Sequence, residues 1–278
     1  MFFSTFGIAM SEIINRLLQS WPRGAVAQLG WLARHGVSQP LATRYRKSGW
    51  MEAVGRGAYA RSGDPVGWEG AVYALQAEPH AAIHPGGRTA LELLGYSHFL
   101  RLAPRRKVFL YGEPGERLPK WMRDHDWGAD VLLLPSCLRG DHAAQLGLAE
   151  HSFGAFALRV SSPERAILEM LDGLPHRASF EEARLVMEGL TTLRPSLLQT
   201  LLEACSSIKV KRVFLYLARE AGHAWYGRLD KARIDLGKGK RMLVRGGRLD
   251  AEFMITVPGH DAGDGDHDDD AGHAGART

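Results

Sequence analysis

Residues 37–61, VSQPLATRYRKSGWMEAVGRGAYAR, decide the fold of the first part of the chain. Ser38 stands where a helix N-cap is favoured, and Pro40 is tolerated in a first helical turn. The helix is expected to run to about Ser48, because Gly49 follows as a stop signal. The flanks WMEAV and AYARS then alternate apolar and polar residues around a Gly-Arg-Gly turn, which predicts a β-hairpin.

The sequence before this stretch predicts two further helices. Apolar residues recur at helical spacing in SEIINRLLQSW, with Ser11 as the expected N-cap and Pro22 as the break. A second apolar stripe follows in residues 26–33, and Gly36 is expected to close it in a left-handed conformation. Three helices followed by a hairpin are typical of a winged helix-turn-helix, whose third helix enters a DNA groove.

The third helix predicts a surface suited to DNA. Leu41 and Tyr45 are four residues apart and are expected to face the core. The opposite side offers amide, hydroxyl and cationic groups to base edges and phosphates, and it lacks Asp and Glu. Arginines at the hairpin tip and exit can reach a phosphate or a minor groove. The candidate DNA-binding residues are therefore Ser38, Gln39, Thr43, Arg44, Arg46, Lys47, Arg56 and Arg61. The alternatives are a winged-helix scaffold that contacts only protein, and cations that merely face solvent.

Charge is distributed unevenly along the chain, although the formal net charge is only +4. Lys and Arg outnumber Asp and Glu in residues 1–110 and again in 206–258, whereas acidic residues predominate between them. Residues 259–278 carry six Asp, three His and one Arg, and no apolar residue larger than Ala. Two basic blocks favour a polyanionic partner, and the acidic tail is expected to be disordered.

The second half mixes strands and helices. KVFLYG and DVLLLP predict short buried strands, and ALRVSSPERAILEMLDGL predicts a strand that enters a helix. Ser162, Pro163 and Glu164 suit the N-cap and first turn of that helix, which explains them without a catalytic role. We predict an α+β protein with a winged helix-turn-helix domain at 10–100, a mixed α/β domain at 101–258 and the acidic tail at 259–278.

The last basic block predicts a second cationic surface. In IKVKRVFLYLAREAG, Lys209, Arg212 and Arg219 are expected on the side of a helix opposite its apolar face. The following segment resembles a hairpin that turns at Gly246-Gly247. Its cations are Lys238, Lys240, Arg241, Arg245 and Arg248. This surface could bind phosphates, an acidic protein or nothing.

Several other classes of function find little support. Cys137 and Cys205 form no disulfide framework and have no metal-ligand spacing, so we expect inert, buried thiols in a cytoplasmic protein. No apolar run is long enough for a membrane span, and the nine residues before Met10 are too short for a signal peptide. The Gly-Gly pair in HPGGRT lacks the lysine of a phosphate loop. Asp250 and Glu252 are two apart on a predicted strand, as in a metal-dependent nuclease, but no further carboxylate cluster accompanies them. We therefore expect no enzyme activity, no metal and no cofactor.

The order of these motifs resembles that of the AbiEi family of bacterial antitoxins, over nearly all of residues 11–258. In the amino-terminal part the resemblance rests on GRGAYA and HPGGRTALELLGYSHFL. The carboxy-terminal strings are longer and more distinctive: VSSPERAILEMLDGLP, KVKRVFLYLAREAGHAWYGRLD and IDLGKGKRMLVRGGRLDAEFMITVP. The acidic tail and the apolar extension before Met10 depart from the family pattern.

The resemblance implies a regulator of a toxin–antitoxin system involved in abortive infection. Its winged helix would bind inverted repeats in its own promoter, as a dimer or as two cooperating monomers, and repress transcription. Its carboxy-terminal domain would neutralise a nucleotidyltransferase-like toxin without a stable complex. Neutralisation would then map to Lys209, Arg212, Arg219, Lys238, Lys240, Arg241, Arg245 and Arg248. The alternative is a ligand-responsive winged-helix transcription factor that has no toxin partner.

Overall fold

The computed structural model describes residues 3–79, 81–96, 105–139, 141–244 and 246–259, with only the backbone for residues 3–11, 141 and 142. The fold is mixed α+β, which confirms the predicted class. The helices are α1 Phe3–Ser20, α2 Leu29–Arg34, α3 Gln39–Lys47, α4 Trp68–Gln76, α5 Gly87–Leu93, α6 Lys120–Asp124, α7 Asp141–Gln145, α8 Pro163–Asp172, α9 Phe180–Gly189, α10 Pro195–Ala204 and α11 Ile208–Ala221. The strands are β1 Ala27–Gln28, β2 Met51–Gly55, β3 Ala58–Arg61, β4 His84–Pro85, β5 Arg106–Gly112, β6 Ala129–Pro135, β7 Leu148–Ser152, β8 Ala157–Ser161, β9 Arg241–Met242, β10 Arg248–Asp250 and β11 Ile255–Val257.

The first six elements form a winged helix. Helices α1, α2 and α3 pack around a core that includes Trp21, Leu32 and Tyr45. Strands β2 and β3 form the antiparallel hairpin, and the short β1 pairs with β3 to give the order β1-β3-β2. The expected start of the first helix at Ser11 is wrong, because α1 is already helical from Phe3. Residues 3–10 contain no proline, so nothing in the backbone chemistry stops the helix before Ser11.

The winged helix and the following part of the chain share a hydrophobic core. Val26 and Ala58 from the winged helix belong to the same buried cluster as Val108 and Leu158 from the second half. The hairpin tip touches α6 directly: a Cβ built on Gly55 would lie 2.7 Å from Cβ of Trp121. The wing is therefore held against the second half of the molecule by backbone-level packing.

The second half contains a three-stranded sheet, a hairpin and a helical cluster. Strand β5 pairs in parallel with β6 and antiparallel with β4, while β7 and β8 pair antiparallel. Helices α8, α9, α10 and α11 enclose the largest hydrophobic core of the described residues. The predicted two-faced character of α11 is wrong, because residues 210–218 are buried on every side. The helix is covered on one side by α8 and α9 and on another by the segment that carries β9 to β11.

The carboxy-terminal sheet differs from the predicted hairpin. Strand β11 lies in the middle, antiparallel to β10 and parallel to β9. The reversal between β10 and β11 occurs over residues 251–254 rather than at Gly246-Gly247. Gly247 has another role, because a Cβ at this position would lie 2.3 Å from the carbonyl oxygen of Val257. The glycine thus permits close approach of two backbones and does not mark the turn.

Candidate nucleic-acid interface

Helix α3 is held in place by its apolar side and by turns at both ends. Ala42 and Tyr45 are buried against α1 and α2, and Leu41 is half-buried. Burial raises the pKa of Tyr45, so its hydroxyl stays neutral at physiological pH. Ser38 occupies the N-cap with extended backbone, as predicted, but its hydroxyl makes no capping hydrogen bond. Packing of Ala42 and Tyr45 therefore fixes the orientation of α3, and the polar residues of the helix face outward.

The outer face of α3 is solvent-exposed and carries no carboxylate. The exposed predicted residues on it are Ser38, Gln39, Thr43, Arg44, Arg46 and Lys47. The hydroxyl of Thr43 donates to the carbonyl oxygen of Gln39 and can still accept. Within the part of the chain that the structure describes, neither Arg46 nor Lys47 has an ion-pair partner within 4 Å. Arg46 and Lys47 can therefore bind phosphates without first breaking an internal ion pair.

The two wing arginines have different environments. Arg56 is exposed at the hairpin tip, between Gly55 and Gly57. Arg61 instead folds back onto the end of α1, where its guanidinium donates to the carbonyl oxygens of Leu18 and Trp21 at 3.1 and 3.0 Å. It caps carbonyl groups that have no partner within the helix, so it is occupied by the fold.

An exposed tryptophan beside α3 was not among the predicted site residues. The side chain of Trp50 is 48% exposed, although its backbone is fixed by hydrogen bonds with Tyr45 and Ser62. The alternation of apolar and polar residues in WMEAV carries the signal. Once Met51 is placed in the core, alternation turns its neighbour Trp50 outward. Trp50 adds an aromatic surface next to the cations of α3.

The predicted antitoxin surface separates into an internal and an external group. Lys209 donates to the carbonyl oxygens of Asp172 and Leu174 at the end of α8. Arg212 is buried and donates to four carbonyl oxygens of the carboxy-terminal segment, those of Leu236, Gly237, Gly239 and Met254. Arg219 binds the carboxylates of Glu220, Asp250 and Glu252. All three are engaged by the fold, but only Arg212 is buried, so the expectation of an exposed side chain is wrong for Arg212 alone; the side chains of Lys209 and Arg219 are 30% and 29% exposed.

The exposed cations lie on and around the carboxy-terminal sheet. Lys238, Lys240, Arg241 and Arg248 are exposed, and we call them the C-terminal cationic face. In the described parts of the chain, none of the four has a carboxylate within ion-pair distance. Arg248 instead lies close enough to hydrogen-bond the Tyr216 hydroxyl. Arg245 and residues 260–278 of the predicted tail lie outside the described residues.

The carboxylates considered for a nuclease are engaged by one arginine. Oδ2 of Asp250 and Oε2 of Glu252 both accept from Arg219 at 2.6 Å. Burial opposes the charge on Asp250, but the bond from Arg219 outweighs it and lowers the pKa of Asp250. Across the described ranges, no group of three or more His, Cys, Asp or Glu side chains has the geometry to hold a metal ion. The pair is thus an ion-pair anchor for the carboxy-terminal segment.

The distinctive motifs HPGGRT and SSPERAILE meet at a buried carboxylate. Oε1 of Glu169 accepts from His84 Nε2 at 3.0 Å and from Arg165 Nε at 2.8 Å. Oε2 accepts from the backbone N–H of Gly87 at 3.0 Å and from the Ser161 hydroxyl at 2.7 Å. The Gly-Gly turn therefore binds an internal carboxylate at the start of α5, where a phosphate loop would bind a ligand.

The charge of this buried carboxylate is maintained by its neighbours. Complete burial alone would raise the pKa of Glu169, but Arg165 and His84 lower it from 4.5 to about 2. Arg165 is itself buried and also donates to the carbonyl oxygens of Ala144 and Leu146. Each oxygen of the Glu169 carboxylate thus accepts two hydrogen bonds, and a buried charge requires such hydrogen bonding.

A helix-turn-helix with a short wing, followed by a mixed α/β part, defines a winged helix-turn-helix protein. Residues 10–102 match the model of the AbiEi antitoxin N-terminal domain, described as a transcriptional regulator. Residues 105–258 match the model described as a transcriptional regulator, AbiEi antitoxin, of type IV toxin–antitoxin systems. The chain therefore belongs to the AbiEi antitoxin family of transcriptional regulators.

Solved structures support the fold. The chain is similar to the crystal structure of the RV2827C protein from Mycobacterium tuberculosis, with a TM-score of 0.57 and 18% sequence identity over 88% of this chain and 89% of that chain. At this identity the likeness concerns the fold alone. The comparison with curated protein sequences gave no significant match. Among the described residues, no helix combines the length and the apolar character needed to cross a membrane.

Proposed function

We propose that this antitoxin represses its own promoter by binding inverted repeats through the outer face of α3 and the wing. The observation that supports this most is the exposed, carboxylate-free face of α3, with Arg46 and Lys47 in its last turn. Gln39 and Thr43, nearer the start of the helix, are suited to base edges in a major groove. Arg56 would contact a phosphate or the minor groove beside it.

The proposed interface differs from the predicted set in two positions. Arg61 is omitted, because its guanidinium is used by the carbonyl groups at the end of α1. Trp50 is added, because an exposed ring at the edge of a cationic face can pack against sugar or an unstacked base. An inverted repeat requires two copies, either as a dimer or as two monomers that cooperate on DNA.

Operator binding tests this proposal through its salt dependence. The variant Arg46→Ala/Lys47→Ala removes two exposed cations from α3 and leaves its buried residues unchanged. Each lost phosphate contact lowers the slope of log K against log salt by about 0.9, so a loss of about 2 is expected for the pair. Titration of the upstream intergenic fragment at several salt concentrations measures the slope. An unchanged slope and affinity would show that α3 is not the reading helix.

A matched control is available on the same molecule. Arg184 is exposed on α9, where it pairs with Glu181 and Glu188, and it lies outside the winged helix. Arg184→Ala removes one cation outside α3 and the wing, whereas the test variant removes two. It therefore measures how much operator affinity changes when a positive charge is lost away from the proposed interface. Its operator affinity is expected to stay within about twofold of the wild type.

We further propose that the C-terminal cationic face contributes to neutralisation of a nucleotidyltransferase-like toxin. Support comes from exposure: these four cations of the predicted surface face solvent, and none of them has a carboxylate partner among the described residues. Its members Lys238, Lys240 and Arg241 come just before Met242 in the chain, and Met242 is 72% exposed. Cations around an exposed apolar side chain suit a partner surface that is acidic at its rim.

A crossed experiment separates the two activities. Co-expression of the triple variant Lys238→Ala/Lys240→Ala/Arg241→Ala with the adjacent toxin gene should lose growth rescue while operator binding is retained. The α3 variant should show the reverse pattern. Rescue by the triple variant at wild-type levels would remove the C-terminal cationic face from neutralisation, without affecting the DNA-binding proposal.

A further inference from the structure

The fold brings the two cysteines of the chain together, although they are far apart in sequence. Cys137 follows β6, and Cys205 is the C-cap of α10. Leu138 and Cys205 form an antiparallel bridge, and the backbone N–H of Ser206 donates to the carbonyl oxygen of Cys137 at 2.9 Å. The hydroxyl of Ser206 donates to the same oxygen at 2.9 Å. Two segments are thus fixed side by side at the position of both thiols.

The backbone places the two residues within reach of a disulfide. Residues one position out of register on adjacent antiparallel segments have Cα atoms about 6 Å apart, within the span that a disulfide bridges. In a regular ladder their side chains would face opposite sides, but the Leu138–Cys205 pair is an isolated bridge outside the strands, and both cysteines are buried in the same core. Each thiol also shifts the pKa of the other, as groups in close proximity do. Both are free and buried in the same hydrophobic core.

The two thiols differ in acidity. The hydrogen bond between them raises the pKa of Cys137 and lowers that of Cys205. Lys211 lowers the pKa of Cys205 further, and α11 begins just after the Ser207 N-cap, so its positive dipole end is close. Cys205 is therefore the better nucleophile, and Cys137 is the neighbouring thiol that can react with it.

We propose that Cys137 and Cys205 are an oxidation site that hydrogen peroxide or another small hydroperoxide converts into an intramolecular disulfide. The Cys205 sulfur attacks one peroxide oxygen, the O–O bond breaks, and the departing oxygen leaves as water with the thiol proton. Cys205 is then a sulfenic acid. The Cys137 sulfur attacks it, the S–O bond breaks, and the hydroxyl leaves as water with the Cys137 proton. Two thiols lose two electrons and two protons, and the peroxide is reduced to two waters.

The product would join β6 to the link between α10 and α11. These elements belong to different layers, the parallel sheet on one side and the helical core on the other. Since the two backbone segments are already paired in the reduced protein, closure needs little movement of either segment. The site is independent of the proposed interfaces, because neither cysteine lies on α3, the wing or the C-terminal cationic face.

Counting alkylatable thiols in the full chain tests the proposal. Reduced protein is treated with hydrogen peroxide under native conditions, cleared with catalase, unfolded in N-ethylmaleimide and weighed by mass spectrometry. We expect loss of both alkylation adducts, a mass lower by two hydrogens and a linked peptide that contains Cys137 and Cys205. A thiol reductant should restore both adducts. Two adducts after peroxide, an intermolecular link, or added oxygen in place of the link would each overturn the proposal.

Single-cysteine variants test the order of attack. Cys137→Ala leaves Cys205 and should form a sulfenic acid that a cyclic diketone traps. Cys205→Ala leaves Cys137 and should be labelled several-fold less. Equal or reversed labelling would overturn the assigned order. The wild-type experiment needs no substitution, so it decides the disulfide even where a variant folds poorly.

Discussion

The buried carboxylate of Glu169 offers the sharpest test of how this fold is held together. Glu169→Gln keeps the shape of the side chain but replaces one acceptor oxygen by an NH₂ group. Each carboxylate oxygen accepts two hydrogen bonds, His84 and Arg165 on one side and Gly87 and Ser161 on the other. The amide therefore faces two donors in either orientation, and Arg165 also loses its counter-charge.

The expected cost follows from the pKa. A shift of the Glu169 pKa from 4.5 to about 2 corresponds to about 3 kcal/mol of stability, at roughly 1.4 kcal/mol per unit. Removing one partner of a buried ion pair typically costs about 3–5 kcal/mol. The estimate from the pKa shift therefore agrees with the usual cost of such a substitution. We expect the free energy of unfolding at pH 7 to fall by about 3 kcal/mol.

The pH dependence has a definite sign. The pKa of Glu169 is depressed in the folded state, so its contribution is present above the unfolded value of 4.5 and is lost as pH falls toward about 2. The difference between the wild type and Glu169→Gln should therefore shrink over this window. Glu164, whose pKa is lowered to about 2 mainly by Arg194 against the effect of burial, makes the wild type itself lose stability in the same window.

Urea unfolding followed by tryptophan fluorescence measures both quantities, at pH 7 and at pH values below 4.5. Glu181→Gln is the matched control, because Glu181 pairs with Arg184 on the surface and its side chain is 62% exposed. An exposed pair contributes about 0.5 kcal/mol or less. A cost below about 1 kcal/mol for Glu169→Gln, or a cost that does not change with pH, would refute the assignment of Glu169 as the charged centre of the network.

Two further substitutions test the wing. Gly55→Ala should cost about 1–3 kcal/mol, because the new methyl group would lie 2.7 Å from Trp121 Cβ and 3.0 Å from its Cα; thermal unfolding checks this against Gly189→Ala, where no atom lies within 4 Å. Arg61→Ala should lower stability by about 2 kcal/mol, because it leaves the carbonyl groups of Leu18 and Trp21 without their charged donor. Operator affinity of the folded Arg61→Ala protein should be unchanged, and a loss of affinity at unchanged stability would return Arg61 to the DNA interface.

The sequence was sufficient for the winged helix because its signals are local. Pro40 in the first turn and Gly49 with its positive φ delimit α3 through backbone chemistry that acts over one or two turns, while Ser38 takes the extended N-cap conformation without a capping hydrogen bond. The hairpin follows from a glycine-flanked turn between two alternating stretches. The exposed side of α3 was equally accessible, since helical spacing alone assigns residues to opposite faces once Tyr45 is placed in the core.

The roles of the cations in the carboxy-terminal half could not be predicted in this way, because several of them donate hydrogen bonds to backbone carbonyl oxygens. A lysine or arginine that caps a helix end looks the same in sequence as one that faces solvent, since every residue supplies the carbonyl acceptor. Lys209 and Arg212 are of this kind, as is Arg61 in the winged helix, and the sequence predicts each of them as part of a binding surface. Hydrophobic periodicity does not predict the burial of α11, because a helix that is covered on both sides has no exposed polar face. Its Lys211 and Arg212 are buried together with the apolar residues.

Internal hydrogen bonding also indicates which parts of this chain are available to bind a partner. The strings HPGGRT and SSPERAILE converge on the Glu169 network and are occupied in holding α5 to α8. The cations that remain exposed lie elsewhere, on α3 and on the carboxy-terminal sheet. Because a binding surface must be free before its partner arrives, residues already saturated by internal hydrogen bonds are poor candidates for recognition. Substitutions in the network should therefore lower stability and operator binding together, whereas substitutions on α3 should lower binding at constant stability.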